Sequence, residues 1–225
     1  VHEWIGSGDI NSLYPSAIRA LNMAPETIVG QLRPVMTERY IKDRQSRKMS
    51  FAAAWEGLFA TLEYTAVIEQ QPGTEITVDW ESGESSVHSA AEIWRMIFDS
   101  NQPWILSANG TIFTYEYEGV VPGLLARWYK ERKELQAKLR DSETDSDKEF
   151  WDKRQLVKKI NLNSLYGAIL NPGCRFFDKR IGQSTTLVGR SVAKHMDAFV
   201  NECITGKYDH VGESVIYGDT DSVYF

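Results

Sequence analysis

Ser214-Val-Ile-Tyr-Gly-Asp-Thr-Asp-Ser-Val-Tyr-Phe225 closes the 225-residue chain, and its pattern reads as two short strands joined at Gly218-Asp219. Gly-Asp is ordinary turn chemistry, since glycine accepts positive φ and a short acidic side chain bonds nearby backbone. Asp219 and Asp221 stand two residues apart, so in extended chain both side chains share one face. Like charges that close repel unless a cation lies between them. A divalent metal is the natural partner of such a pair; a solvated acidic turn is the other reading of the same string.

Working outward, Thr185 to Ile204 carries the pattern of a long helix. Before it lie two more helical patterns, Pro122 to Arg140 and Lys148 to Leu170, joined by Asp141-Ser-Glu-Thr-Asp-Ser-Asp147, a polar connector rich in helix-capping residues. So short a connector implies an antiparallel helical hairpin. Trp104 to Ala108 and Thr111 to Tyr117 flank Asn109-Gly110, the favoured pair for a tight β-hairpin. Glu75 to Trp80 alternates as a strand does, and Ser89-Ala-Ala-Glu92 is a capping box ahead of Ile93, Trp94, Met96, Ile97 and Phe98. Residues 38–70 carry a helix-compatible stretch with Phe51, Trp55, Leu58, Phe59 and Leu62 on one stripe. Residues 1–35 read as a strand, a turn and a helix with Pro15 at its first position, ended by Pro25 and Gly30. Strands first and last with helices between predict an α+β body carrying a helical projection.

Composition narrows the class. Hydrophobic residues make up 42% and charged residues 25%, which is globular, and no run approaches the roughly 18 to 20 apolar residues of a membrane-spanning helix. Cys174 and Cys203 are too few for a disulfide framework and favour a reducing compartment. The chain opens on Val1 and stops inside a strand pattern, so a piece of a longer protein is expected. The net charge of −6 hides an asymmetry: residues 127–194 hold 16 Lys/Arg against 9 Asp/Glu, and the remainder holds 9 against 22. A basic segment beside acidic ones suits phosphate in one place and metal ions in another, although solvated helix faces alternate in the same way.

A third carboxylate stands near the start. Asp9 ends a predicted strand, and Ser12-Leu13-Tyr14-Pro15 turns the chain into a helix, so several backbone N–H groups can converge where an anion binds. In the second long helix Lys159, Asn163, Tyr166 and Gly167 are spaced i, i+4, i+7 and i+8, which sets a cation, an amide, a ring and bare backbone along one face. Arg132 and Lys133 add donors on the facing helix, and the planar fork of arginine binds two phosphate oxygens at once. A lone carboxylate or lysine is by itself a turn residue or a surface charge.

Asp9-Ile-Asn-Ser-Leu-Tyr-Pro-Ser16, Lys159-Ile-Asn-Leu-Asn-Ser-Leu-Tyr-Gly167 and Tyr217-Gly-Asp-Thr-Asp-Ser222, in that order, closely resemble the three polymerase motifs of family B DNA polymerases, with wording nearest to the replicative polymerases of T4-like bacteriophages. The resemblance implies a palm with an antiparallel sheet and packed helices in residues 1–121 and 171–225, and an antiparallel two-helix fingers projection in residues 122–170. It implies template-directed transfer of a deoxynucleotide to a primer 3′-OH, with primer–template DNA and dNTP as substrates. Asp9, Asp221 and the carbonyl of Ile10 would hold two Mg²⁺ ions, with Asp219 beside them. Ser12, Leu13 and Tyr14 would cradle the triphosphate, while Arg132, Lys159 and Asn163 grip it, and Lys159 would donate a proton to pyrophosphate. Tyr14 would exclude a ribose 2′-OH, Tyr166 would pack on the nascent base pair, and Gly167 would admit the template base. It also implies an exonuclease domain and a thumb, here absent or in another chain, a sliding clamp for the full enzyme, and the host bacterial cytoplasm as the place of work.

This sequence departs from the pattern in places. Ala17 replaces a larger aliphatic residue, and Gln136 stands where a second basic residue would follow Arg132, with Lys133 and Lys138 off that face. Two alternatives stay open: a non-catalytic nucleotide- or partner-binding module of a split polymerase, and a haloacid-dehalogenase-like phosphatase with Asp219 as nucleophile and Asp221 as acid/base. The latter needs further motifs downstream of Asp221.

Overall fold

Two antiparallel sheets organise the computed structural model, which describes residues 5–34, 73, 75–210, 212 and 214–225. The helix-compatible stretch at 38–70 lies outside the described residues. The smaller sheet sets β1 (Ser7–Asp9) and β7 (Tyr217–Asp219) on either side of β8 (Ser222–Tyr224). In the larger the order is β4 (Ser85–Ser89), β3 (Glu75–Trp80), β2 (Ile28–Pro34), β6 (Thr111–Thr114) and β5 (Trp104–Leu106). Five α-helices accompany them among the described residues: α1 (Leu13–Ala20), α2 (Ala90–Phe98), α3 (Val120–Arg140), α4 (Asp145–Ile169) and α5 (Lys179–Thr205). The predicted α+β class is what the chain adopts.

Period-two alternation builds the larger sheet. Ile76 and Val78 on β3 are fully buried, and with Leu32 and Ile112 they pack under Ile93 and Ile97 of α2. The capping box at the head of α2 forms as read: the Ser89 hydroxyl accepts from the Glu92 N–H at 3.3 Å, and the Glu92 carboxylate accepts from the Ser89 N–H at 2.7 Å. Asn109 and Gly110 sit in the β5–β6 turn, with Gly110 alone of the two at positive φ. A second core gathers Ile18 of α1, Phe113 of β6, Leu125 of α3, Leu162 and Ile169 of α4 and Ile181 of α5, so the helical hairpin is rooted in the same apolar mass as α1.

Several boundaries differ from the sequence reading. α1 begins at Leu13, with Pro15 its third residue, and ends at Ala20. Asn22, at φ 51°, then turns the chain. Gly30 does not end a helix; it lies in β2 opposite Trp80, where a Cβ would come within 3.0 Å of the Asp79 carbonyl oxygen. α3 starts at Val120, α4 at Asp145 behind the Thr144 cap, and α5 at Lys179 behind the Asp178 cap. The terminal hairpin turns at Thr220-Asp221, not at Gly218-Asp219: Thr220 has φ 44°, and the Asp221 N–H reaches back to the Asp219 carbonyl at 2.5 Å.

Asn22 is the joint between α1 and the rest. Its buried amide donates to the carbonyls of Thr114 and Tyr117, both at 2.8 Å, and accepts from the Gly119 N–H at 2.9 Å. Asn22→Ala leaves three backbone groups without that partner and puts alanine in the left-handed region, so it is expected to lower unfolding stability by about 2 to 3 kcal/mol. A urea titration checks this as a lower midpoint at unchanged slope.

Candidate functional site

The small sheet brings the distant ends of the chain together. β1 pairs with β8 so that Asp9 faces Ser222 and Asp219 faces it from the other side, while Gly8, Val223 and Gly218 form the neighbouring row. Val223 is fully buried, with the Met196 sulfur of α5 near Gly8. Just past β1, the Ile10 N–H donates to the Asp221 carbonyl at 2.7 Å, tying the first acidic segment to the last. Ser12 then takes the left-handed conformation, φ 56° and ψ 52°, and its carbonyl accepts the Ser16 N–H at 2.9 Å as α1 begins. No side chain caps α1, so the first N–H groups of the helix keep no side-chain acceptor there.

A cleft of about 600 Å³ opens at this junction. Asp9, Ile10, Ser12, Leu13, Tyr14 and Asp221 line one side, and Arg132 of α3 with Lys159 and Asn163 of α4 line the other. Nine of the predicted site residues therefore meet in one place. Leu13 is buried, so its side chain is anchored beneath the cleft rather than displayed in it. Asn11, Pro15 and Thr220 also line the cleft; all three lie inside the quoted motifs, where no site role was assigned to them.

Three predicted residues lie outside the lining. Asp219 is exposed and is not itself in the lining, although it shares a cross-strand row with Asp9 through Ser222 and its carboxylate accepts from the hydroxyl of cleft-lining Thr220 at 3.1 Å. Tyr166 reaches the site through Tyr14: their rings are 4.6 Å apart between centroids and tilted by 41°. Gly167 is exposed, with open space where a Cβ would stand.

Cross-helix pairs fix which cation faces the cleft. Lys158 bonds Glu131 at 2.5 Å and the Arg132 Nε–H donates to Gln155 at 3.3 Å, which holds α3 against α4 in one register. Lys158 is thereby engaged, and among the described residues Lys159 makes no ion pair. Burial raises the Tyr14 phenol above its ordinary pKa, and the nearby Asp221 carboxylate adds to the rise. Burial and Tyr14 likewise raise Tyr166, partly offset by the Thr186 hydroxyl nearby. Both phenols stay neutral well above pH 7 and keep their protons to donate.

Among the described residues no three of His, Cys, Asp and Glu converge as a metal cage. The cleft offers two carboxylates, Asp9 and Asp221, among backbone oxygens, and this donor set suits Mg²⁺, which is commonly held by one or two carboxylates with substrate phosphates completing the shell.

Comparison with known proteins matches residues 5–225 to DNA polymerase family B. The chain belongs to that family. It is 25% identical to the DNA-directed DNA polymerase of Escherichia phage RB69 over 99% of its own length, and 27% identical to that of Enterobacteria phage T4 over 98%. The chain spans about a quarter of the length of each phage polymerase. The DNA polymerase delta catalytic subunit of Oryza sativa is 35% identical over 108 residues, 47% of this chain. The solved family B DNA polymerase of Pyrobaculum calidifontis shares the fold, at TM-score 0.55 and 19% identity, over 98% of this chain and 20% of that one. Family B membership excludes the phosphatase reading of Asp219 and Asp221, and among the described residues no helix is long and apolar enough to cross a membrane.

Proposed function

We propose that this chain is the nucleotidyl-transfer core of a DNA-directed DNA polymerase, with residues 1–121 and 171–225 as palm and 122–170 as fingers. One observation carries the reading: carboxylates from both ends of the chain and cations from the helical hairpin share a single cleft with the turn into α1. An incoming dNTP fits between them, its phosphates toward Arg132, Lys159 and Asn163 and its sugar against Tyr14. Asp9, Asp221 and the Ile10 carbonyl would hold two Mg²⁺ ions. When bound, such ions lower the pKa of the attacking 3′-OH and offset charge on the leaving pyrophosphate.

The chain's own groups do the rest. N–H groups at the head of α1 donate to phosphate oxygens, and the helix dipole favours negative charge there. Arg132 binds two oxygens through its fork, and Lys159 contributes a mobile ammonium that can hand a proton to the departing pyrophosphate. Template pairing, not a protein side chain, selects the base. Primer–template DNA is the remaining substrate; an exonuclease domain, a thumb and a sliding clamp belong to the complete enzyme. The phage relatives favour a host cytoplasmic setting.

Equilibrium titration of the chain with Mg²⁺·dNTP tests the reading. The wild type binds, EDTA releases the nucleotide, and Lys159→Ala weakens binding by about 10- to 100-fold, the worth of charge-assisted hydrogen bonds in a partly dry site. Equal affinity in wild type and Lys159→Ala would refute the placement of the phosphates.

A further inference from the structure

Helix α5 runs behind both tyrosines of the site. Thr186 lies beside the Tyr166 phenol, and three residues further on Gly189 is buried against Tyr14. A methyl group on Gly189 would stand 2.9 Å from Tyr14 Cε1 and 3.3 Å from Tyr14 Cδ1 and Leu13 Cδ2. Two carbons at such separations repel, since their optimum lies near 3.5 to 4.0 Å. The Leu13 methyl can swing aside; the tyrosine ring moves only as a plate.

Conformation does not explain a glycine at this point. Gly189 lies well inside α5 and is not among the positive-φ glycines, so alanine would suit the backbone better there. What the position requires is room. Tyr14 lines the cleft while Gly189 does not, so the ring stands between the glycine and the cleft, with Tyr166 stacked at its flank.

We propose that Gly189 is a positioning residue for nucleotide selection: its missing side chain seats the Tyr14 ring at the depth that leaves space for a deoxyribose. The inference rests on the reading of Tyr14 as the wall beside the sugar. A methyl group at 189 lifts the ring off α5 into the cleft, crowding the sugar of any nucleotide.

Equilibrium titrations with Mg²⁺·dNTP and Mg²⁺·rNTP on four full chains test it: wild type, Gly189→Ala, Tyr14→Ala and the double variant. Gly189→Ala is expected to weaken dNTP binding about tenfold, a displacement of a fraction of an ångström at a positioning group. On the Tyr14→Ala background the same change is expected to have no effect, because the ring through which it acts is gone. Should Gly189→Ala unfold the chain, as circular dichroism would report, the double variant recovers the fold and binds like Tyr14→Ala. Wild-type dNTP affinity in Gly189→Ala overturns the inference, and so does an equal loss with and without the Tyr14 ring, or a double variant that stays unfolded. If Tyr14→Ala keeps wild-type discrimination between dNTP and rNTP, the reading of Tyr14 itself fails. A wild-type chain that binds no nucleotide contradicts the proposed function.

Discussion

Asp221→Ala lowers nucleotide incorporation by about 10³-fold, the cost of removing one preorganised group from a charge-stabilised transition state. The expectation is sharp because the substitution spares the fold. What Asp221 contributes to structure is main chain: its N–H reaches the Asp219 carbonyl and its carbonyl accepts the Ile10 N–H, and alanine keeps both. Its side chain lines the cleft with Asp9, where it adds charge next to the phenol of Tyr14. Asp219→Ala is the companion. That carboxylate is exposed outside the cleft, so its loss costs less than the loss of Asp221. Single-turnover primer extension at saturating dNTP measures both; equal losses would mean that the two carboxylates act as one unit despite the turn between them.

Tyr14→Ala removes the wall proposed to meet the sugar, and discrimination between dNTP and rNTP falls by roughly 10²-fold, a plausible upper range for a steric contact without a dedicated hydrogen bond. The effect appears mainly as improved ribonucleotide use, because the 2′-OH is the group that the proposed wall would obstruct. The phenol also packs on Tyr166, so some loss of dNTP affinity accompanies the change. Ratios of kcat/KM for a matched dNTP and rNTP give the discrimination directly. An unchanged ratio would place the sugar elsewhere.

Much of this was legible locally. The capping box at Ser89 and Glu92, the Asn109-Gly110 turn and the polar joint between α3 and α4 each depend on neighbours in sequence, and each formed. The residues at i, i+4 spacing, Lys159 and Asn163, share a cleft because one helix face carries them. Where expectation failed, a distant contact outweighed the local signal. Gly30 serves the close approach of β3, not a helix end, and Gly218 stays in the strand while Thr220 takes the positive φ of the turn. Asp221 falls in the turn itself, where the rule that residues two apart share a face no longer applies. Gly189 carried no sequence signal, since its partner Tyr14 lies far away in the chain and only packing joins them.

The most direct test is single-nucleotide addition by this chain with Mg²⁺ on a short primer–template, offering each of the four dNTPs in turn opposite one template base. The primer is expected to grow by the complementary nucleotide alone, and a change of template base is expected to change which nucleotide is used. A folded chain that binds Mg²⁺·dNTP yet adds nothing, or adds all four alike, would contradict the proposed function.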